Sequence, residues 1–185
     1  GSPDFIMTVN ATSTDVNGDT FTSSQIVEVD SDLDGDVDAG MQGTDGNDVL
    51  TGTGDDDIIS GNKGDDTIDG GAGDDIMIGG DGDDTFIGGE GDDSAFGGAG
   101  DDLFIFGAGD GSDYFAGGDG WSDTLQMEGV DGGPGADAGW AMQVEDGAVF
   151  TETANGLEFE GDASGTITLS DGSELTFEGV DKIEW

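Results

Sequence analysis

Residues Gly43–Ile105 divide without a gap into seven blocks of nine: GTDGNDVLT (43–51), GTGDDDIIS (52–60), GNKGDDTID (61–69), GGAGDDIMI (70–78), GGDGDDTFI (79–87), GGEGDDSAF (88–96) and GGAGDDLFI (97–105). Position 1 is always glycine, and position 4 is glycine except at Asp55. Position 5 is Asn47, Asp56, Asp65, Asp74, Asp83, Asp92 and Asp101; position 6 is Asp48, Asp57, Asp66, Asp75, Asp84, Asp93 and Asp102. Position 8 is Leu50, Ile59, Ile68, Met77, Phe86, Ala95 and Phe104. A fixed short period of this kind marks a solenoid, in which each repeat buries its apolar residue only by stacking on its neighbours.

Three residues at positions 7–9 suffice for a strand of about 10 Å, with position 8 on one face and positions 7 and 9 on the other. The six residues between strands turn the chain, and their glycines allow positive φ and close backbone approach. Successive strands then alternate between two facing sheets, with 18 residues per coil. The turns fall into two columns. One holds the turns that start at 43, 61, 79 and 97. The other holds those at 52, 70 and 88, continued by Phe106-Gly-Ala-Gly-Asp.

Stacked turns bring carboxylates to about one strand spacing, near 4.8 Å. Two such charges repel by about 1 kcal/mol at about 4 Å even in water. The chain has 45 acidic residues against two lysines, Lys63 and Lys182, for a formal net charge of −43. Neutralisation must come from outside, from metal ions or from a very basic partner, and the negative sign excludes nucleic acid and anionic membrane as partners. Histidine and cysteine are absent, which removes zinc and iron sites built on them and every triad based on them. Abundant hard oxygen donors point to Ca²⁺. If positions 1, 3 and 5 face one neighbouring turn and positions 2, 4 and 6 the other, each ion gains main-chain carbonyls and one carboxylate from each turn. That arrangement explains why position 5 as well as position 6 carries an oxygen side chain. Roughly five or six ions are expected in the roll.

The seven blocks resemble the RTX (repeats-in-toxin, haemolysin-type) calcium-binding family, whose repeat is G-G-x-G-x-D-x-U-x with U a large apolar residue. The resemblance covers 63 of 185 residues. It implies an all-β, right-handed parallel β-roll, a secreted protein of a Gram-negative bacterium exported by type I secretion machinery, and folding outside the cell on calcium. The expected function is a calcium-induced folding and stabilising module. The alternative is an adhesion or docking module that uses the C-terminal β region. No catalytic residues are expected, because the metal pattern accounts for the acids that a two-carboxylate glycosidase would need.

The flanks are less regular. Residues 1–7 read as an expression scar and a start, and 8–42 as an N-terminal acidic segment or cap. Within it, Asp30, Asp32, Asp34, Asp36 and Asp38 admit three readings: a separate calcium loop resembling the EF-hand but with Met41 where its glutamate belongs, a cap feeding the first coil, or an acidic leader. Residues 106–128 read as a degenerate repeat end in which Asp110 and Asp113 are further candidate ligands, and Asp119 and Asp123 a second tier. Residues 129–185 read as a loop followed by a small antiparallel β cap, from the alternation in Ile167/Leu169, Leu175/Phe177 and Ile183/Trp185 and the turns Asn155-Gly156 and Asp171-Gly172. No run of about 18 apolar residues occurs, so no membrane insertion is expected. Position 9 changes from Thr51, Ser60 and Asp69 to Ile78, Ile87, Phe96 and Ile105. This predicts an outer face that residues 106–185 fold back to cover, or else a docking face.

Overall fold

The computed structural model describes residues 40–130, 132–135, 139–145 and 148–185 with their side chains, and residues 5–14 and 20–29 as main chain. The first two strands, β1 (Phe5–Thr14) and β2 (Thr20–Val29), form an antiparallel hairpin that the repeat pattern did not announce. The roll follows as β3 (Met41–Gln42), β4 (Val49–Thr51), β5 (Ile58–Lys63), β6 (Thr67–Ala72), β7 (Ile76–Asp81), β8 (Thr85–Glu90), β9 (Ser94–Ala99), β10 (Leu103–Phe106), β11 (Ser112–Asp119) and β12 (Thr124–Met127). The C-terminal part adds β13 (Trp140–Val144), β14 (Phe150–Glu152), β15 (Gly156–Leu169) and β16 (Glu174–Glu184). No helix occurs among the described residues.

Two parallel ladders run through the roll, β3-β5-β7-β9-β11 and β4-β6-β8-β10-β12. Equivalent positions pair one coil apart: Ile59 with Met77 and Met77 with Ala95 in one ladder, Leu50 with Ile68 and Ile68 with Phe86 in the other. Most repeat strands are six residues long, taking in positions 1–3 of the following block as well as positions 7–9. The three-residue strands expected from the apolar pattern are therefore too short, since the two glycines after position 9 carry no side chain that reveals their pairing.

Position 8 is the core throughout. All seven of its residues, Leu50 to Phe104, have no exposed surface. Phe115 and Phe177, and Leu125 and Ile183, prolong this column beyond the repeats. Ala95 is small, yet the register holds and Phe96 stays on the outside. The volume beside Ala95 is taken by aromatic rings: Phe115 stacks on Phe104 at 5.4 Å between centroids and tilts against Phe86 at 6.2 Å. A close-packed interior tolerates a small residue where large neighbours complete the volume.

The C-terminal segment closes the end of the roll. β16 pairs parallel with β11 over Glu174–Glu178 and parallel with β12 over Lys182–Glu184, so one strand supplies the last half-coil of both ladders. β15 pairs antiparallel with β16, and β13 and β14 pair with β15. The antiparallel region was legible from its alternation; the parallel pairing of β16 was not. A strand that ends both ladders protects sheet edges that would otherwise recruit other chains.

Among the described residues the expected covering of the outer face is only partial: Tyr114 packs its ring on Phe96, 5.7 Å between centroids. Ile78 and Phe96 are each 41% exposed and Ile87 36%, because residues 106–185 stack on the end of the solenoid rather than on its flanks.

Phe115 links the regular repeats to the capping strand, since it pairs with Ala95 on one side and Phe177 on the other. Phe115→Ala should lower stability by about 3–5 kcal/mol, read from urea unfolding in saturating calcium. A loss below about 1 kcal/mol would show that this ring is not the joint between repeat and cap.

Candidate metal centre

The turns carry two hydrogen-bonded ladders that run in opposite directions. At position 6 each carboxylate reaches back to the preceding turn. In the first column Asp66, Asp84, Asp102 and Asp123 accept from the backbone N–H of Asp48, Asp66, Asp84 and Asp102 at 2.8–2.9 Å. In the second, Asp75, Asp93 and Asp113 accept from Asp57, Asp75 and Asp93 at 2.7–3.1 Å. At position 5 each side chain reaches forward. Asn47, Asp65 and Asp83 accept from the N–H of Asp65, Asp83 and Asp101, and Asp56 and Asp74 from that of Asp74 and Asp92. Past the last regular block the ladder continues, as Asp92 accepts from Ser112 and Asp101 from Trp121.

Opposite directions put one side chain of each kind into every gap between stacked turns. The pairs in the first column are Asn47 with Asp66, Asp65 with Asp84, Asp83 with Asp102, and Asp101 with Asp123. Those in the second are Asp56 with Asp75, Asp74 with Asp93, and Asp92 with Asp113. Positions 5 and 6 thus face opposite neighbours, but the expected grouping of positions 1, 3 and 5 against 2, 4 and 6 does not hold, because the position-3 carbonyl faces the same turn as the position-6 side chain and the position-2 and position-4 carbonyls the same turn as position 5. Main-chain carbonyls alternate as well. Those of Asp81 and Ala99, at position 3, accept from the preceding turn at Gly64 and Gly82 at 2.7 Å. Those of Asn62 and Gly64, at positions 2 and 4, lie against Gly80 and Gly82 of the following turn.

Two observations show that these gaps suit a cation. The second carboxylate oxygen, Oδ2, of Asp66, Asp75, Asp84, Asp93, Asp102 and Asp113 is buried and has no hydrogen-bond partner. An orphaned buried charge of that kind is costly unless a counter-ion meets it. The same oxygen also explains the invariant glycine at position 1. A Cβ on Gly61, Gly79 or Gly97 would collide with Oδ2 of Asp66, Asp84 or Asp102 in its own turn. Position 4 is constrained separately: Gly82 has φ of +136° and lies against the backbone of Gly64.

Among the described residues no three acidic side chains converge on one point. Each gap offers two side chains, so the rest of a six- to eight-oxygen shell must be main-chain carbonyl or water. Such donors suit Ca²⁺ and leave no place for a metal that prefers nitrogen or sulfur.

Burial holds seven of the ladder acids, Asp66, Asp75, Asp84, Asp93, Asp102, Asp113 and Asp123, above the ordinary carboxylate range, and neighbouring carboxylates add to it. Asp66 and Asp84 are pushed up to about 6, Asp75 and Asp102 to about 7, and Asp113 to about 8. Asp93 and Asp123 are raised for the same reasons. The backbone N–H each accepts pulls the other way and is outweighed.

The remaining sequence candidates sit differently. Asp110 is in neither ladder; its Oδ2 accepts the N–H of Gly107 at 2.6 Å within its own turn, and burial followed by Glu128 and Asp171 raises its pKa. Asp119 is exposed, and its main-chain carbonyl takes the N–H of Gly100. Asp48 and Asp57 accept bonds from Thr44 and Thr53. Asp30 to Asp38 lie outside the described residues. One ladder member was missed: Asp181 accepts the N–H of Asp123 at 3.1 Å, as Asp123 accepts that of Asp102. Its signal was the fragment Gly179-Val180-Asp181-Lys182-Ile183, which repeats the spacing of positions 4 to 8 without the period around it.

Comparison with known families agrees with this geometry. The model of the RTX calcium-binding nonapeptide repeat, four copies long, matches residues 42–77 and again residues 78–112. No curated protein matches the chain. Nine-residue blocks, an 18-residue coil and two opposed aspartate ladders thus have one common explanation: residues 42–112 belong to the RTX calcium-binding repeat family.

Proposed function

We propose that this chain is a calcium-driven folding module of a secreted protein, in which ions seated between stacked turns convert an acidic, extended chain into the roll. The observation that carries the reading is the set of six buried, unpartnered Oδ2 atoms, one in every gap except that of Asp101 and Asp123. The proposed ligands are the seven facing pairs from Asn47/Asp66 to Asp92/Asp113, which extends the expected five or six ions to as many as seven. Asp110 and Asp119 are left out of this set because neither faces a gap partner in the ladders. When bound, the ion supplies positive charge and an oxygen-coordinating centre; the chain's own part is to hold two carboxylates and the main-chain carbonyls in place.

Export as an unfolded chain fits the same physics. Extracellular calcium modules bind with Kd of about 10⁻⁴–10⁻³ M, so they are empty at cytosolic calcium and filled outside. Binding free energy then becomes folding free energy. Type I secretion is the route this reading assigns, and the module itself performs no catalysis.

Circular dichroism with and without chelator tests the switch. The β signal should be present in millimolar calcium and largely absent after chelation; a roll that survives full chelation sinks the idea. Asp84→Asn keeps the oxygen that accepts from Asp66 but removes the charge, so it should cost one ion by equilibrium dialysis and raise the calcium midpoint by about tenfold.

Protons should partly replace calcium. Without metal, the folded chain binds protons between the ordinary value near 3.8 and the raised values of about 6 to about 8, where the unfolded chain does not. Stability of the metal-free roll is therefore greatest below about pH 4 and is lost as pH rises through about 6 to 8. Chelated protein taken from about pH 8 to about pH 5 should gain β signal, and the calcium midpoint should rise over the same span. A chelated protein that becomes more folded as pH rises would contradict this assignment.

A further inference from the structure

The ladder that begins at β3 runs on into the cap. β9 pairs with β11, β11 with β16, β16 with β15 and β15 with β13, so one sheet continues from the repeats into the C-terminal strands. The register lines up an outward-facing row along it. Ile58, Ile76, Ser94 and Tyr114 pair in turn across β5, β7, β9 and β11. Tyr114 then pairs with Thr176, Thr176 with Thr166, and Thr166 with Gln143. A second outward row runs beside the first, through Ser60, Ile78, Phe96, Ala116 and Glu178.

Glu178 is the one charged residue in these two rows, and it accepts the hydroxyl of Tyr114. The opposite ladder carries Asp69, Lys182 and Glu184 at the matching positions. On a chain with 45 acidic residues, a strip this poor in charge is the surface that can shed water at least cost. Its two halves differ in chemistry. Ile58, Ile76, Ile78 and Phe96 are each 40–41% exposed. Past Tyr114 the strip turns to hydroxyl and amide groups, where Tyr114, Gln143, Thr166, Thr176 and Glu178 help to line a concavity of about 340 Å³. The aromatic pair of Phe96 and Tyr114 stands at the junction of the two halves.

We infer that this strip binds a neutral polysaccharide chain, with Phe96 and Tyr114 against the apolar face of a sugar ring and Gln143, Thr166 and Thr176 bonded to hydroxyls at ring edges. Aromatic rings offer a large apolar face with a polar tip. Threonine and glutamine each supply donors and acceptors, as sugar hydroxyls require. The dimensions suit one extended chain: seven strands at about 4.8 Å spacing give a length of about 29 Å, and the two rows lie about 7 Å apart. A second copy of this chain fits poorly, because a stable dimer needs roughly 800 Å² from each partner and the strip offers about 300 Å². Two chains of net charge −43 also repel each other, and the same charge turns away an anionic polysaccharide.

The test is affinity electrophoresis of the full chain in millimolar calcium, in native gels holding hydroxyethyl cellulose, galactomannan or xyloglucan, with hyaluronan as the anionic comparison. Each mobility is taken relative to a gel without polysaccharide. In at least one neutral gel it should fall about twofold when the polysaccharide concentration equals Kd. Ser94→Asp puts a charge beside Tyr114 and should abolish the retardation. Thr85→Asp puts the same charge at the same repeat position on the opposite sheet and should leave it unchanged. Gln143→Ala, at an exposed position of the cap, should weaken binding by about threefold, as the loss of one hydrogen bond predicts. No retardation of the parent in any neutral gel overturns the inference, as does equal retardation in hyaluronan or in Ser94→Asp. A dimer in sedimentation that Ser94→Asp dissolves gives the strip to a second copy and overturns it too. The inference stands apart from the calcium reading, since a roll that survives chelation should still be retarded.

Discussion

Two carboxylates meet across nearly every gap between stacked turns, one reaching forward from position 5 and one back from position 6. Their backbone partners fix them there, since each accepts an N–H from the opposite turn. The hydrogen bonds that define the stacking therefore also concentrate the charge that opposes it. Most of the remaining regularity follows from this. Glycine at position 1 leaves room for the second carboxylate oxygen, glycine at position 4 lets the next turn approach, and the apolar residue at position 8 gives the coil something to close around.

The counter-charge is not in the chain. Lys182 is paired with Glu184, and Lys63 stands exposed on a strand end. Burial responds by favouring protonation of Asp75, Asp102 and Asp113, which is how a metal-free roll could relieve the strain. On the proposed reading, protons and calcium compete for the same oxygens, and the balance between them sets when the roll can exist. The competition also separates two roles that one residue might seem to combine. Oδ1 of Asp66, Asp75, Asp84, Asp93, Asp102 and Asp113 is structural, because it holds the adjacent turn; Oδ2 of these six is the atom available to a ligand.

The roll was legible because its information is periodic. One apolar residue in nine at Leu50, Ile59, Ile68 and Met77 identifies the core, and the two acidic columns identify the gaps. What escaped was whatever happens once. Asp181 belongs to the position-6 ladder but comes 58 residues after its neighbour Asp123, and only the folding-back of β15 and β16 brings the two together. The exposure of Ile78, Ile87 and Phe96 escaped for a related reason. Apolar residues on an outer face say that the face is apolar, and carry no information about whether the following segment lies on it or beyond it. Thr44 and Thr53 were in plain view at position 2; only coordinates reveal that they donate to Asp48 and Asp57.

The two ends of the described repeats differ in how their polar groups are met. At the C-terminal end the last coil has backbone groups without a next coil, and β16 supplies them by pairing with both ladders at once. At the other end of the described repeats, Oδ2 of Asp48 and Asp57 accepts from Thr44 and Thr53, where the same oxygen of their later counterparts has no hydrogen-bond partner. Between these ends every coil needs its neighbour and the charge in the gap between them. A solenoid assembled this way has no part that is stable alone: removing the cation leaves opposed carboxylates in each gap, and removing the cap leaves open strand edges. On the proposed reading, metal and cap are coupled requirements of one folding event, with β11, the strand shared by the repeats and β16, as the place where the two meet.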